Sequence, residues 1–272
     1  MTHGNPVIIA VAPNGARAGK DDHPRIPLSL AEIVDACADC VDQGATMLHV
    51  HTRDSNGRHL LDADAARDLE AALIEQIGER ALVQTTTEAF GIYTASEQAG
   101  FLRAARPIAA SVAWREISRD DLPEAERAAL LAWCKAENIA LQYILYDLAD
   151  IASFQDAMKR GIVPEDEPRV LFVVGRYASG EPSDARALVG FLGSGLVSRS
   201  WMVCAFGVAG HDVLHAAALL GGHCRIGFEN GFVTTRGEIA QDNAELVAGL
   251  REMLGHLGRR PASAEEARQL LL

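Results

Sequence analysis

A chain of 272 residues that is 49% hydrophobic and 23% charged has the composition of an ordinary folded protein, long enough for two domains or for one α/β barrel. Its 25 basic residues stand against 37 acidic ones, a formal charge of −12 with no long basic run, which counts against nucleic acid and anionic membranes as partners. No apolar run nears the roughly 18 residues of a spanning helix and no charged-then-apolar leader opens the chain, so the expectation is a soluble, cytoplasmic protein.

From the start the chain alternates strand-like and helix-like segments. Val7 to Ala12 is an apolar strand, followed by a polar loop running to Pro27. Ser29 with Glu32 three residues on forms a capping box that opens a helix ending at Gly44. Thr46 to His51 is the second strand, with a helix over about 62–77. Leu82 to Thr87 precedes a helix over about 95–105, and Ile108 to Trp114 precedes one over about 124–137. The second half repeats the pattern. Ala140 to Tyr146 leads to a helix ending at Gly161, and Arg169 to Val174 to a helix over about 183–192. Ser200 to Phe206 leads to a helix over about 211–220, and His223 to Phe228 to one over about 242–257. A last short helix spans about 263–272.

Eight such units imply a parallel sheet closed into a (β/α)8 TIM barrel with an extra C-terminal helix. The alternative, an open doubly wound sheet, lacks its usual Gly-x-Gly-x-x-Gly turn after the first strand. No Pro- or Ser-rich linker divides the chain, so one domain over 1–272 is expected. Five cysteines do not read as a disulfide framework. Cys37 and Cys40 fall on the apolar face Ile33, Ala36, Cys37, Cys40, Val41 and read as core residues.

In such a barrel the chemistry sits at the C-terminal ends of the strands. His49-Val50-His51 places two imidazoles on one face of the second strand, with Leu48 and Val50 on the other. The polar residues at the other strand ends are Asn14 and Arg17; Arg53 and Asp54; Thr85, Thr86, Thr87 and Glu88; Arg115 and Glu116; Asp147; Arg176; His211; and Glu229 with Asn230. Strand eight neighbours strand one, so Glu229 reaches toward the His pair. His49, His51 and Glu229 then form a two-His, one-carboxylate set suited to a zinc ion with an open position.

Four stretches carry a family resemblance: Asn-Gly-Ala-Arg at 14–17, HVHTRD at 49–54, QTTTE at 84–88 and GGHCRIGFEN at 221–230. The chain resembles the β-keto acid cleavage enzymes, zinc-dependent barrels related to the 3-keto-5-aminohexanoate cleavage enzyme. The resemblance implies His49, His51 and Glu229 as zinc ligands and condensation of a β-keto acid with acetyl-CoA, followed by cleavage to acetoacetate and a new acyl-CoA. It also implies catalytic roles for Arg225 and Thr86, and a homotetramer; Glu88 and Asn230 complete the candidate catalytic set, and Asn14, Arg17, Thr87 and Arg115 are the candidate substrate-binding residues.

Departures from the relative accompany the likeness. Asn230 stands where it has an Asp, Arg17 where it has a Glu, and Ile144 near the place of another Glu, so the amino-bearing substrate is not expected. Asn cannot act as a general base, which leaves the proton to Glu88, to a zinc-bound water, or to no group at all. Arg17 and Arg115 suggest an anionic or neutral substrate tail, or else ordinary salt bridges with Glu88 or Glu116. Rival readings are a barrel metallohydrolase using zinc-activated water and a catalytically silent keto-acid-binding barrel. His211 and His215 read as a helix-start residue and a solvated ring, His223 as structural, and His23 and His59 as exposed loop residues.

Overall fold

The computed structural model describes residues 6–175, 183–196 and 198–272; Arg176 lies outside them. The first apolar run does not stay one strand. β1 (Pro6–Val7) pairs with β10 (Arg260–Pro261), while β2 (Ile9–Val11) enters the barrel. Between them, the Ile8 N–H donates to His223 Nδ1 at 3.2 Å, so His223 acts structurally at the strand-start end, as expected.

The other strands follow the sequence reading closely: β3 (Met47–Val50), β4 (Leu82–Thr86), β5 (Ala109–Ala113), β6 (Ala140–Leu145), β7 (Arg169–Val174), β8 (Ser200–Ala205) and β9 (His223–Ile226). β2 to β9 close into a barrel in sequence order, every pair parallel, with β9 returning to β2. The surrounding helices are α1 (Leu30–Asp42), α2 (Ala63–Ile77), α3 (Ala95–Ala105), α4 (Trp114–Ile117), α5 (Glu124–Ala136), α6 (Leu148–Lys159), α7 (Ala187–Gly193), α8 (Gly210–Leu219), α9 (Asn243–His256) and α10 (Ala264–Leu271). No helix among the described residues is long and apolar enough to cross a membrane.

Local chemistry fixes the helix starts. Ser29 with Glu32, Thr94 with Glu97 and Ser263 with Glu266 are complete capping boxes; Asp62, Asp147 and Asp242 cap through their carboxylates. Two expectations shift. The short helix α4 takes up Trp114 through Ile117, so Trp114 leaves the strand. The helix expected from Ser183 begins at Ala187, because the Ser183 hydroxyl is engaged with the carbonyls of Val174 and Phe206 at the ends of β7 and β8.

Alternation along the strands sorts the core into two clusters. Leu48, Val50, Val83, Val112 and Val203 face the helices, and there Cys37 and Cys40 are fully buried on α1, as core residues. Met47, Leu82, Ala109, Ala140, Leu171 and Met202 face inward near the strand starts. Ala262, Ala267 and Leu271 join that inner cluster, so α10 closes the bottom of the barrel and leaves the opposite end for chemistry.

Candidate active site and metal centre

His49 and His51 share the inward face of β3, and both imidazoles are buried. His49 is paired in register with Gln84 on β4, and its Nδ1–H donates to Gln84 Oε1 at 2.8 Å. Gln84 Nε2 donates in turn to Gln142 Oε1 at 3.1 Å, and Gln142 Nε2 contacts Met202 Sδ at 3.9 Å. With Nδ1 protonated, the lone pair of His49 lies on Nε2, the atom facing the barrel mouth. Burial, helped by the Arg225 charge, holds the His49 imidazole down to about 3, so it is neutral at any working pH.

Glu229 arrives just beyond β9. Gly227 has φ +132°, and a Cβ there would lie 2.3 Å from the Ala12 carbonyl oxygen, a backbone contact that cannot yield. Across the same junction Gly15, at φ +57°, leaves room for the Glu229 side chain, whose Cγ would stand 2.5 Å from any Cβ. These two glycines let the loops after β2 and β9 approach closely enough to swing the carboxylate over the His pair. Glu229 Oε2 lies 3.2 Å from His51 Nε2 and 3.6 Å from His49 Nε2, and the two Nε2 atoms are 3.1 Å apart.

That triangle fits a divalent ion. Ligand atoms about 2.0–2.1 Å from a tetrahedral zinc stand about 3.3 Å from one another. Glu229 Oε2 is moreover buried without a hydrogen-bond partner, as is His51 Nδ1 on the far side of its ring. Among the described residues this trio is the one cluster of three His, Cys, Asp or Glu ligand atoms converging within 4.8 Å. Burial alone would raise the Glu229 carboxyl; the Arg225 charge overcomes it and holds the group well below the usual carboxylate range. Glu229 is therefore ionised, as a ligand must be.

Arg225 supplies the fixed positive charge. It is buried inside the barrel between Ala10 and Cys204, and its Nη2 donates to Glu229 Oε1 at 2.8 Å and to Cys204 Sγ at 3.2 Å. Its Nε and Nη1 are buried with no acceptor, although the residue lines a cavity beside the three donors. That cavity, about 210 Å³, opens at the strand ends and also takes in Asn14, Arg17, His49, Thr86, Glu88, Ser111, Arg115, Ile144 and Glu229.

The remaining expected residues divide. Thr86 lines the cavity, with its hydroxyl accepting from the Glu88 N–H at 3.1 Å and from Ser111 Oγ at 3.4 Å. Glu88 places Oε2 3.8 Å from His51 Nδ1, its side chain only 26% exposed, and burial raises its carboxyl with further help from Glu229 and Glu116. Asn14 borders the cavity, yet its amide is spent on the His51 backbone, donating to the carbonyl at 2.9 Å and accepting from the N–H at 3.3 Å. Thr87 points away: its hydroxyl donates to the Ser111 carbonyl and it does not line the cavity. Asn230 is buried behind Arg225, in a separate small recess beside Gly207 and Gly231.

Arg115 is not a free cation. Its Nη2 donates to Asp147 at 2.7 Å and its Nε to Asp150 at 2.9 Å, and its guanidinium carbon lies over the Tyr146 ring, 4.3 Å from its centroid. Arg17, 57% exposed, rests over Phe90 and stands 4.0 Å from Glu88, so its salt-bridge reading holds, while Glu116 instead accepts from the Ala89 N–H and Gln98. His23 and His59 are not exposed. His23 is bonded to the Ala240 carbonyl and packs on Phe228 and Phe232; His59 is bonded to the Glu88 carbonyl, 5.4 Å from the His51 ring centre. Burial pushes His59 down to about 4. His211 bonds the Val233 carbonyl at the start of α8.

The sequence reading missed Gln84, Gln142 and Tyr146. The two glutamines share the inward phase of Thr86 and Ile144, two residues further along each strand, and that spacing was the available signal. In HVHTRD the Arg and Asp are scaffold. Arg53 donates to the carbonyls of Asn14, Gly15 and Ala18, clamping the loop after β2, and Asp54 caps the turn at 54–58.

Fold and site thus define a (β/α)8 barrel enzyme with a buried two-His, one-Glu centre at its mouth. A family model described as beta-keto acid cleavage enzyme matches residues 6–272, and the chain belongs to that family. It is 27% identical to the 3-oxoadipate:acetyl-CoA acetyltransferase of Cupriavidus necator, covering 98% of this chain and 94% of that one. It is 26% identical to the 3-keto-5-aminohexanoate cleavage enzyme of Fusobacterium nucleatum, covering 97% of each. Among solved structures, a ternary complex of ObcA with a C4-CoA adduct and oxalate superimposes with TM-score 0.72 at 16% identity, over 91% of this chain and 67% of that one. The type I 3-dehydroquinate dehydratase of Clostridium difficile follows at 0.61 and 10% identity, over 94% of each chain. At these identities the two structures speak for the barrel fold.

Proposed function

We propose that this enzyme exchanges acyl groups between a β-keto acid and acetyl-CoA, releasing acetoacetate and a new acyl-CoA, with zinc held by His49, His51 and Glu229. The observation that supports it is the convergence of those three donors, 3.1–3.6 Å apart, beside a buried Arg225 with unpartnered N–H groups. A zinc ion held there would supply a Lewis acid that stabilises negative charge developing on the keto acid.

The chain's own residues carry the remaining tasks. Glu88, with its carboxyl raised by burial, takes the proton from C2 of the keto acid, a role closed to Asn230. The C2 carbanion then forms a bond to the acetyl thioester carbonyl carbon, and the thioester C–S bond breaks to release the CoA thiolate. Arg225 donates Nε–H and Nη1–H to the oxygen on which negative charge collects, in a buried site where such donors act strongly. The CoA thiolate adds to the original 3-oxo carbon, and the bond from that carbon to C2 breaks. The proton returns to C2, so acetoacetate and acyl-CoA leave with atoms balanced. Thr86, whose oxygen already accepts two hydrogen bonds, has its hydroxyl hydrogen left to donate to substrate.

Acetoacetate release from β-keto acids plus acetyl-CoA, measured with and without chelator on wild type and on His49→Ala, tests this reading. Chelator-sensitive exchange that falls by at least a hundredfold in the variant is expected. Exchange that survives both treatments would overturn the zinc assignment, and hydrolysis of esters or lactones without acetyl-CoA would favour a metallohydrolase.

A further inference from the structure

Resting on the proposed exchange reaction, we infer that the β-keto acid this enzyme takes carries an uncharged, apolar tail. The metal-side pole of the cavity is polar, formed by His49, Glu229 and Arg225 from β3 and the loop after β9. The opposite wall is contributed by β5 to β8, where Ala113, Ile144, Val173 and Phe206 line the same space. Ala113 and Ile144 are register partners, and with Val173 they are buried members of the inner core cluster, against which Phe206 packs. The head of the acid is fixed at the polar pole, so its tail lies against this wall.

Among the described residues the cation at the wall's outer edge is Arg115, and it is already neutralised. Two carboxylates, Asp147 and Asp150, accept its Nη2 and Nε hydrogens, and its face is stacked on Tyr146. A tail carboxylate there would meet a guanidinium whose charge is already matched twice over. A tail ammonium would meet acids committed to Arg115 and, further in, the alkyl and aromatic carbon of Ile144, Val173 and Phe206. Burying either charge without a partner is costly, whereas a hydrocarbon tail removes apolar surface from water at this wall. Arg17, a further lining cation, rests over Phe90 and stands 4.0 Å from Glu88.

The test compares three acids of equal length, 3-oxohexanoate, 3-oxoadipate and 6-amino-3-oxohexanoate, on the zinc-loaded full chain. Binding without acetyl-CoA is read by calorimetry, and acetoacetate release with it. A Kd at least tenfold tighter and a kcat/KM at least tenfold higher for 3-oxohexanoate are expected. In Ile144→Glu the advantage should pass to the amino acid, a change of preference that loss of stability alone would not produce. If either charged acid binds within tenfold of 3-oxohexanoate, the apolar-tail assignment is overturned while the exchange reaction stands. If the dicarboxylate wins and Arg17→Ala abolishes its advantage, Arg17 takes the tail instead. If the acids bind with the expected order and none is exchanged with acetyl-CoA, the tail assignment stands and the proposed reaction falls.

Discussion

Gln84→Leu removes the acceptor that fixes the His49 tautomer without touching a metal ligand. In the native protein Gln84 Oε1 receives the His49 Nδ1–H at 2.8 Å, and Gln84 Nε2 donates to Gln142 at 3.1 Å. The substitution frees the imidazole to place its proton on Nε2, the atom aimed at His51 and Glu229. Loss of such an orienting partner typically costs 10–100-fold in metal affinity, about 1.4–2.7 kcal/mol. It also strands the His49 N–H and the Gln142 oxygen in the barrel interior, at about 1–3 kcal/mol each. For a 272-residue domain the unfolding entropy near the midpoint is about 0.6 kcal/mol/K, so even 2 kcal/mol lowers the Tm by about 3–4 °C. Zinc affinity is measured by competition with a chromogenic chelator, and Tm by calorimetry on metal-free protein. The pair Gln84→Leu, Gln142→Leu separates the effects, since removing the stranded Gln142 oxygen as well recovers part of the Tm while leaving zinc affinity weak. Native zinc affinity in Gln84→Leu, with Tm lowered, would refute the tautomer argument.

Two further outcomes concern the scaffold. Gly227→Ala puts a Cβ 2.3 Å from the Ala12 carbonyl oxygen at φ +132°, so a loss of about 3 kcal/mol or more is expected, a Tm drop of at least about 5 °C, together with displacement of Glu229; an unchanged Tm would show that β2 and β9 separate easily. Glu32 accepts from Lys20 at 2.7 Å and from the N–H groups of Leu28 and Ser29 at 3.0 Å, which lowers its carboxyl to about 2 in the folded protein. A depressed folded value means stabilisation that is complete above the unfolded value near 4.5 and fades as pH falls toward 2. Because the side chain is 44% exposed, solvent screening reduces the contribution to about 1 kcal/mol. Urea denaturation should therefore show Glu32→Gln less stable than wild type by about that amount at pH 7 and by much less at pH 3. A gap that does not narrow would mean that the carboxylate charge is not what stabilises α1.

The sequence by itself determined the alternation of eight strands and helices, because period-2 apolar runs, capping boxes and glycine stops are local signals that tertiary contacts did not override. It also placed the two imidazoles and Glu229. A strand presents alternate residues to one face, and a closed parallel barrel brings its last strand beside its first, so two local patterns and one topological rule suffice. The tertiary structure decided whatever depends on side chains from different β-α units meeting. Along the chain Arg115 reads as a substrate-tail cation or a partner of Glu88 or Glu116, and only the packing of α4 against α6 gives it Asp147 and Asp150. His59 and His23 lie in loops, where exposure is the usual state, yet the loops fold over the barrel mouth and bury them against backbone carbonyls. Gln84 and Gln142 look like ordinary strand residues until the barrel closes, because a hydrogen bond across β4 to β6 cannot be read from either strand alone. Local periodicity carries the direction in which a side chain points; its partner across the barrel is set only when the sheet has closed.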